Sequence, residues 1–204
     1  MRLNEPLGIV SSAADASVLG VLARVKSDLT ITQVQALIPR LSAEGIRKAL
    51  KRLVAEGIVE LDIVGRTHLY RLNRDHLGAR AIAEIANLYS TLCFRLTSEM
   101  MGWPDPPVFS SIFGSAARGE MRSDSDIDVF ALRPSGVDED KWSEFPNALS
   151  LKASRWTGND VRFLVWGEEE IATNPESHSL LNTILEEGIV LGGSSRTLAA
   201  LLSP

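Results

Sequence analysis

The chain has 204 residues, of which 45% are hydrophobic and 23% are charged. This composition excludes a disordered or collagen-like chain, and the length allows one large domain or two small ones, each with its own core. The single cysteine, Cys93, excludes a disulfide framework and a metal cluster built from cysteines. Because the sequence has no run of about 18 apolar residues and no signal-peptide pattern, we expect a cytoplasmic protein without a membrane partner.

The charge is divided unevenly along the chain. Residues 1–80 hold 12 Lys and Arg against 8 Asp and Glu, a net charge of +4, whereas residues 81–204 hold 9 against 18, a net charge of −9. This division would arise if the basic part binds a polyanion and the acidic part binds cations. It would also arise from chance variation in surface composition. The division suggests two parts with different tasks.

The basic part begins with helical patterns and ends with strand patterns. The predicted elements are helices within residues 13–26, 30–39 and 42–57, followed by a β-hairpin around Gly65 and Arg66. Thr30 or Thr32 is the expected N-cap of the second helix, and Ser42 that of the third. Three helices followed by a hairpin is the order of a winged helix-turn-helix, which we assign to residues 1–78.

The third helix has a basic face opposite its apolar stripe. The cations predicted to contact duplex DNA are Arg47, Lys48, Lys51 and Arg52 on this helix and Arg66 at the hairpin tip. An ordinary solvated basic face is the alternative. The segment also resembles the winged helix domains of small bacterial regulators, although this resemblance is one of pattern rather than of motif.

A second part follows a predicted connector helix within residues 79–103, because the prolines of the segment 103–107 cannot continue a helix. Strands are predicted at 108–113, 126–133 and 160–166, and helices at 168–175 and 179–188. Strands interleaved with helices indicate an α/β or α+β domain over residues 104–204. The acidic run Glu168–Glu170 is expected to be a solvated helix N-terminus.

Residues 113–129 of this second part carry a pattern suited to phosphate chemistry. Gly114 and Ser115 directly follow a strand and precede an expected short helix, where backbone N–H groups can meet a phosphate. Asp126 and Asp128 alternate with apolar residues, so a strand would present both carboxylates on one face. Two adjacent carboxylates repel unless a cation lies between them, and oxygen ligands suit Mg²⁺.

The stretches Phe113-Gly114-Ser115, Ala117-Arg118-Gly119 and Ser125-Asp126-Ile127-Asp128-Val129 resemble the signature of the minimal nucleotidyltransferases of the DNA polymerase beta superfamily. The resemblance covers roughly residues 108–192. It implies an α+β fold with a mixed sheet flanked by helices, an NTP donor and a two-metal Mg²⁺ site. It also implies that Gly114, Ser115 and Ser125 contact the nucleotide and that Asp126 and Asp128 hold the metals.

The family usually has a third carboxylate on a later strand, as base and metal ligand. In the family this acid tends to have apolar neighbours on both sides. When the later strand is aligned by these apolar residues, the position of the acid falls on Arg162 in this chain. Asp160 lies two residues earlier on the same strand face, and it either substitutes as a catalytic residue or merely ends a turn. Arg118 is a candidate phosphate contact, with an ion pair to Glu120 or Asp124 as the alternative.

Two functions fit these residues. The first is a Mg²⁺-dependent nucleotidyltransferase that moves NMP, with AMP favoured, from an NTP to the hydroxyl of a protein, an RNA or a small molecule, coupled to a DNA-binding winged helix. The second is a DNA-binding regulator whose nucleotidyltransferase-like domain only senses nucleotide. The intact Gly-Ser and Asp-x-Asp pattern favours the first function, and Arg162 in place of an acid favours the second.

Overall fold

The computed structural model describes residues 1–10, 14–171 and 177–201. It divides into two compact units, an N-terminal unit of Glu5–Tyr89 and a C-terminal unit of Met1–Asn4 and Ser90–Pro204. Within the described residues, no helix has both the length and the apolar character that crossing a membrane requires. The molecule is of the mixed α and β class, as expected.

The N-terminal unit consists of three helices, an antiparallel hairpin and a fourth helix. Its elements are a 3-10 turn at Pro6–Ile9, α1 at Ala14–Arg24, α2 at Ile31–Leu37, α3 at Ala43–Ala55, β1 at Val59–Val64, β2 at Thr67–Leu72 and α4 at Ala79–Ala86. Thr30 caps α2, with its hydroxyl accepting from Gln33 N and the Gln33 side chain accepting from Thr30 N. The Ser42 hydroxyl caps α3 in the same way, accepting from Gly45 N at 3.1 Å.

The apolar stripe of α3 forms the middle of this unit's core. Ile46, Ala49, Leu50 and Leu53 are buried, and Val54 is partly buried. The hairpin turns at Gly65, whose positive φ of 62° allows a two-residue connection between Val64 and Thr67. The predicted helices and hairpin therefore form in the predicted order, with the basic side chains of α3 on its outer side.

The predicted single connector helix is wrong, because it is interrupted at Asn87. The Asn87 side chain donates to Ala83 O at 2.8 Å and so competes for a carbonyl of the helix end. As a result α4 ends at Ala86, and α5 runs from Leu88 to Met101. The buried Ala79 and Ala86 place α4 in the core of the N-terminal unit, whereas α5 from Ser90 onward belongs to the C-terminal unit.

The C-terminal unit is built on a four-stranded mixed sheet. After α5 come β3 at Phe109–Phe113, β4 at Ile127–Arg133, α6 at Glu139–Thr157, β5 at Val161–Gly167, α7 at Glu168–Ile171, α8 at Ser177–Glu187, β6 at Ile189–Gly193 and α9 at Ser195–Leu201. The strand order is β5-β4-β3-β6, with β4 and β5 parallel and the other pairs antiparallel. The expected mixed sheet is confirmed. Of the helix predicted over 168–175, residues 172–175 lie outside the described residues.

The helix α6 was not predicted, because Pro146 lies in its middle and interrupts the helical signal. The helix forms nonetheless between Asp138, whose carboxylate accepts from Lys141 N, and Gly158, whose φ is +71°. Its Ser154 hydroxyl accepts from Val161 N at 3.0 Å, and its Ser150 hydroxyl donates to Val161 O. These bonds cover the otherwise free edge of β5 at the point where that strand begins.

The acidic run at the opposite end of β4 and β5 has a structural task that the sequence analysis missed. The Arg133 side chain is 5% exposed, and its guanidinium contacts Glu169 at 2.9 Å and Glu170 at 3.3 Å. Arg133 Nη1 also donates to Val137 O at 2.6 Å. A buried guanidinium requires such partners, and so these glutamates hold an interior cation rather than merely facing solvent.

We therefore expect Arg133→Ala to lower the free energy of unfolding by about 1–3 kcal/mol, through loss of these charge-assisted hydrogen bonds. The exposed Arg155 on α6 provides the control, since Arg155→Ala removes a surface guanidinium and changes stability by about 0.5 kcal/mol or less. Urea denaturation followed by circular dichroism measures both variants. Equal stability of the two variants would contradict this assignment.

Candidate active site

The site begins where β3 turns into the following loop. Phe113, the last residue of β3, is paired with Asp128 of β4, and Gly114 then turns with a positive φ of 70°. A Cβ atom at position 114 would lie 2.9 Å from Asp128 Oδ2. Glycine is therefore required for two reasons, its backbone conformation and the close approach of the chain to a carboxylate.

The short helix predicted after Ser115 is replaced by a single hydrogen-bonded turn. Arg118 N donates to Gly114 O at 3.2 Å, and Glu120 N donates to Ser115 O at 2.9 Å. Gly119, with φ of +70°, ends the turn after one circuit by adopting the left-handed conformation. The turn therefore lacks the aligned dipoles of a helix, and any anion at this point would meet the backbone of a tight loop.

Two parallel strands bring the charged residues of the site together. Asp126 precedes β4 and Asp160 precedes β5, and the strands are joined by Ile127 N donating to Asp160 O at 2.9 Å. The register then places Asp128 directly beside Arg162. All four charged side chains lie at the same end of the two strands, next to the Gly114 turn.

Arg162 forms ion pairs with the two aspartates that precede the strands. Its Nη1 lies 2.7 Å from Asp126 Oδ2, and its Nε donates to Asp160 Oδ2 at 2.8 Å. The Arg162 side chain remains 61% exposed while it makes both contacts. The guanidinium thus links Asp126, the first residue of the Asp-x-Asp pair, to Asp160, the candidate third carboxylate.

Asp128 is the more enclosed carboxylate of the site. Burial raises its pKa above the usual value, the charge of Asp126 raises it further, and Arg162 opposes both effects. The charged form of Asp128 is therefore short of compensating positive charge. A divalent cation would supply it, and the hard oxygens of Asp126 and Asp128 suit Mg²⁺, which takes its remaining ligands from phosphates and water.

Few side chains at the site can serve as ligands for a metal ion. Within residues 1–10, 14–171 and 177–201, no group of three His, Cys, Asp or Glu side chains is arranged to hold a metal ion. The Asp160 carboxylate is engaged by Arg162, whose Nε lies 2.8 Å from its Oδ2. The residues fit a cation held by Asp126 and Asp128, with Asp160 at the margin of the site.

The remaining candidate nucleotide contacts have partners of different kinds. Ser115 is partly buried, and its hydroxyl makes no hydrogen bond within the part of the chain that the structure describes. The Ser125 hydroxyl accepts from Arg122 N at 2.9 Å and so shapes the loop before Asp126. Arg118 pairs with Glu120 at 2.9 Å and with Glu187 at 3.1 Å. Nucleotide contact by these residues stays a prediction.

Asn159 is a positioning residue that the sequence analysis did not single out. It is buried, and its side-chain amide donates to Ser125 O at 2.8 Å, joining the start of β5 to the loop that carries Asp126. Its backbone N–H donates to Thr157 Oγ1 at 3.2 Å. Its polarity before a strand was the available signal, because a buried amide needs specific partners.

The five cations predicted to contact DNA are all exposed in the N-terminal unit. Three of them have acidic neighbours: Arg47 and Lys48 lie 2.6 and 4.0 Å from Glu44, and Arg52 pairs with Asp15 of α1 at 2.6 Å. Lys51 has no ion pair within the described residues, and Arg66 lies at the hairpin turn. A cavity of about 360 Å³ between α3 and the hairpin is bordered by Arg47 and Lys51.

Comparison with known families identifies the C-terminal part of the chain. Residues 101–191 match the family model described as "Nucleotidyltransferase domain". This range contains the Gly114 turn, all three aspartates and Arg162. The chain therefore carries a nucleotidyltransferase domain, and the expectation of a nucleotidyltransferase is confirmed. No curated protein is significantly similar to the chain in sequence.

Solved structures are similar only in part. A toxin–antitoxin crystal structure with AMP-PNP is 19% identical, with a TM-score of 0.38 over 55% of this chain and 79% of that one. A structure of a tri-AMPylated HEPN toxin from Shewanella oneidensis in complex with MNT antitoxin is 16% identical, with a TM-score of 0.38 over 55% of this chain and 79% of that one. Wild-type apo MarR from E. coli is 23% identical, with a TM-score of 0.33 over 49% of this chain and 75% of that one. Likeness at these TM-scores carries no functional argument.

The close approach at Gly114 gives a prediction with a matched control. Gly114 and Gly119 both have φ of +70°, but a Cβ at residue 119 would meet no atom within 4 Å. We expect Gly114→Ala and Gly119→Ala each to lower stability by about 1 kcal/mol, because alanine is strained in the left-handed region. Only Gly114→Ala should also weaken Mg²⁺-dependent nucleotide binding, by displacing the Asp128 carboxylate.

Calorimetric titration with a non-hydrolysable ATP analogue, with and without Mg²⁺, measures this difference. A loss of Mg²⁺-dependent affinity that is the same in both variants would assign the effect to backbone strain in the loop. Unchanged affinity in Gly114→Ala would separate the turn from the metal site.

Proposed function

We propose that the nucleotidyltransferase domain is a Mg²⁺-dependent catalyst that moves NMP, with AMP favoured, from an NTP to an acceptor hydroxyl. We further propose that residues 1–78 form a winged helix-turn-helix that binds duplex DNA, and that residues 104–204 form the catalytic domain. The observation that carries the catalytic proposal is the contact of the Gly114 turn with Asp128, beside Asp126. This arrangement would join a loop that accepts phosphate to a pair of cation ligands, and it lies within residues 101–191, which match the nucleotidyltransferase domain model.

The reaction exchanges a phosphoanhydride bond for a phosphoester bond. The acceptor oxygen bonds to the α-phosphorus, the bond from that phosphorus to the bridging oxygen breaks, and pyrophosphate leaves with the electron pair. Gly114 and Ser115 would hold the terminal phosphates through backbone N–H groups and a hydroxyl. Asp126 and Asp128 would hold Mg²⁺, which would supply positive charge to the phosphate oxygens.

The acceptor hydroxyl must also lose a proton. Asp160 is the nearest remaining carboxylate of the cluster, and more than half of its side chain is exposed, so an acceptor can reach it. Its carboxylate accepts a hydrogen bond from Arg162 Nε at 2.8 Å, which fixes the orientation of the carboxylate. We assign proton removal to Asp160 on this basis, with Arg162 as the group that orients its carboxylate.

The alternative function is a DNA-binding regulator that senses nucleotide without turning it over. The observation that favours it is the register of β4 and β5, in which the position beside Asp128 holds Arg162 instead of a carboxylate. Under this alternative, the domain binds Mg²⁺ and NTP, but label from the nucleotide reaches no acceptor. The two functions therefore differ in turnover and not in binding.

Transfer of label from α-labelled ATP to protein, RNA and small-molecule fractions tests catalysis directly. We expect Asp126→Asn and Asp128→Asn to lower transfer at least about 100-fold, through loss of cation binding. Asp160→Ala should lower the rate about 100-fold or more with little change in nucleotide affinity. Asp124→Asn is the matched control, since Asp124 is an exposed aspartate in the same loop.

Transfer that survives both Asp126→Asn and Asp128→Asn would contradict the catalytic proposal. Transfer that survives Asp160→Ala alone would remove Asp160 from the mechanism. A wild-type chain that binds Mg²⁺ and ATP, yet labels none of the three fractions, would favour the sensor.

DNA binding by the N-terminal unit is tested by its salt dependence. A lysine that contacts a phosphate contributes about 0.9 to the slope of log affinity against log salt concentration. We expect Lys51→Ala in the full chain to weaken binding and to lower the slope by about one. Arg80→Ala is the control, because Arg80 lies on α4 and pairs with Glu84.

Fluorescence anisotropy with a labelled duplex between about 50 and 200 mM salt gives both slopes. Absence of binding at the lowest salt concentration would contradict the DNA proposal. An equal change of slope in both variants would show that general charge, rather than the α3 face, governs the interaction.

A further inference from the structure

The position of Arg162 changes the number of metal ions that the site can hold. In the nucleotidyltransferase pattern, a third carboxylate beside the Asp-x-Asp pair completes the ligands of a second metal. In this chain that place, directly across from Asp128 on the neighbouring parallel strand, is occupied by a guanidinium. Arginine stays charged at every physiological pH and donates hydrogen bonds but accepts none, and so it cannot be a ligand.

The contacts of Arg162 place its charge where a second cation would lie. Its Nη1 lies 2.7 Å from Asp126, and its Nε donates to Asp160 at 2.8 Å, so one guanidinium bridges two carboxylates. An ion that bridged these carboxylates would have to displace Arg162. The bridge is anchored on both sides, since Ser154 and Ser150 of α6 hold Val161, and Asn159 holds the loop before Asp126.

The charges of the cluster fit one divalent ion. Asp126, Asp128 and Asp160 contribute three negative charges and Arg162 one positive charge, which leaves a net charge of −2. One Mg²⁺ neutralises this cluster, whereas two would leave an excess of positive charge before nucleotide arrives.

We propose that this site works with one divalent cation, held by Asp126 and Asp128, and that Arg162 is a built-in cation in place of the second metal. The proposal rests on the proposed function and deepens it. Arg162 Nη2 donates no hydrogen bond within the described residues, and the side chain is 61% exposed. This nitrogen is therefore free to donate to a phosphate oxygen of the bound nucleotide while the other two hold the aspartates.

The test counts Mn²⁺ ions, and so it does not depend on knowing the acceptor. Mn²⁺ is titrated into the full chain saturated with a non-hydrolysable ATP analogue, and electron paramagnetic resonance gives the bound ions per chain. The wild-type chain should bind one ion. Arg162→Asp, which removes the cation and adds a carboxylate, should bind two ions close enough to broaden each other's spectrum.

Two further variants separate charge from ligation. Arg162→Gln removes the charge without adding a ligand, so it should still bind one ion, with an affinity about tenfold higher, because a nearby positive charge has been removed. Asp126→Asn should weaken Mn²⁺ binding in the wild-type background. Because Arg162 is exposed and glutamine adds no carboxylate to the cluster, Arg162→Gln is the variant least expected to disturb folding.

The outcomes distinguish the inference from the function on which it rests. Two spin-coupled Mn²⁺ ions in the wild-type chain would overturn the single-ion proposal and leave the nucleotidyltransferase proposal standing. A wild-type chain and an Asp126→Asn variant that bind Mn²⁺ with equal affinity would overturn the proposed metal site itself. A single ion in Arg162→Asp would also count against Arg162 as the replacement for a second metal.

Discussion

The parallel pairing of β4 with β5 is the constraint on which the candidate site depends. Its register gathers three carboxylates and one guanidinium at the start of two strands that are 34 residues apart in the chain. Like charges at this distance are unfavourable unless they are compensated, and Arg162 compensates two of the three carboxylates. Asp128, with which Arg162 forms no ion pair, is the carboxylate that the Gly114 turn approaches, so a cation bound there would lie beside the turn proposed to hold phosphate.

The rest of the C-terminal unit stabilises this end of the sheet and its opposite end by separate means. At the site, the serines of α6 fix the first residue of β5, and Asn159 fixes the loop before Asp126. At the far end, Arg133 is held by glutamates at the start of α7. The Arg133 side chain is buried, whereas the Arg162 side chain is exposed and can be reached by a ligand. Ion pairs between arginine and carboxylates thus stabilise one end of the sheet, and at the other end they would position groups for the proposed reaction.

Local signals in the sequence predicted much of this arrangement. Caps and apolar periodicity located α2, α3 and the hairpin, and the alternation of aspartates with apolar residues located Asp128 on a strand. The signals failed at three residues: Pro146 masks the helical pattern of α6, Asn87 divides the connector, and Gly119 ends the turn after Ser115 before a helix can form. No local pattern reports that Arg162 bridges Asp126 and Asp160, because that contact depends on the register of two distant strands.

We propose that Asp126, Asp128 and the Gly114 turn form one nucleotide site with a single cation beside Arg162. The most direct measurement is anomalous diffraction at the manganese absorption edge, from crystals of the chain grown with Mn²⁺ and a non-hydrolysable ATP analogue. We expect one anomalous peak, in contact with Asp126 and Asp128, with the triphosphate against the Gly114–Ser115 turn and Arg162. A peak remote from both aspartates, or nucleotide bound away from the turn, would contradict it.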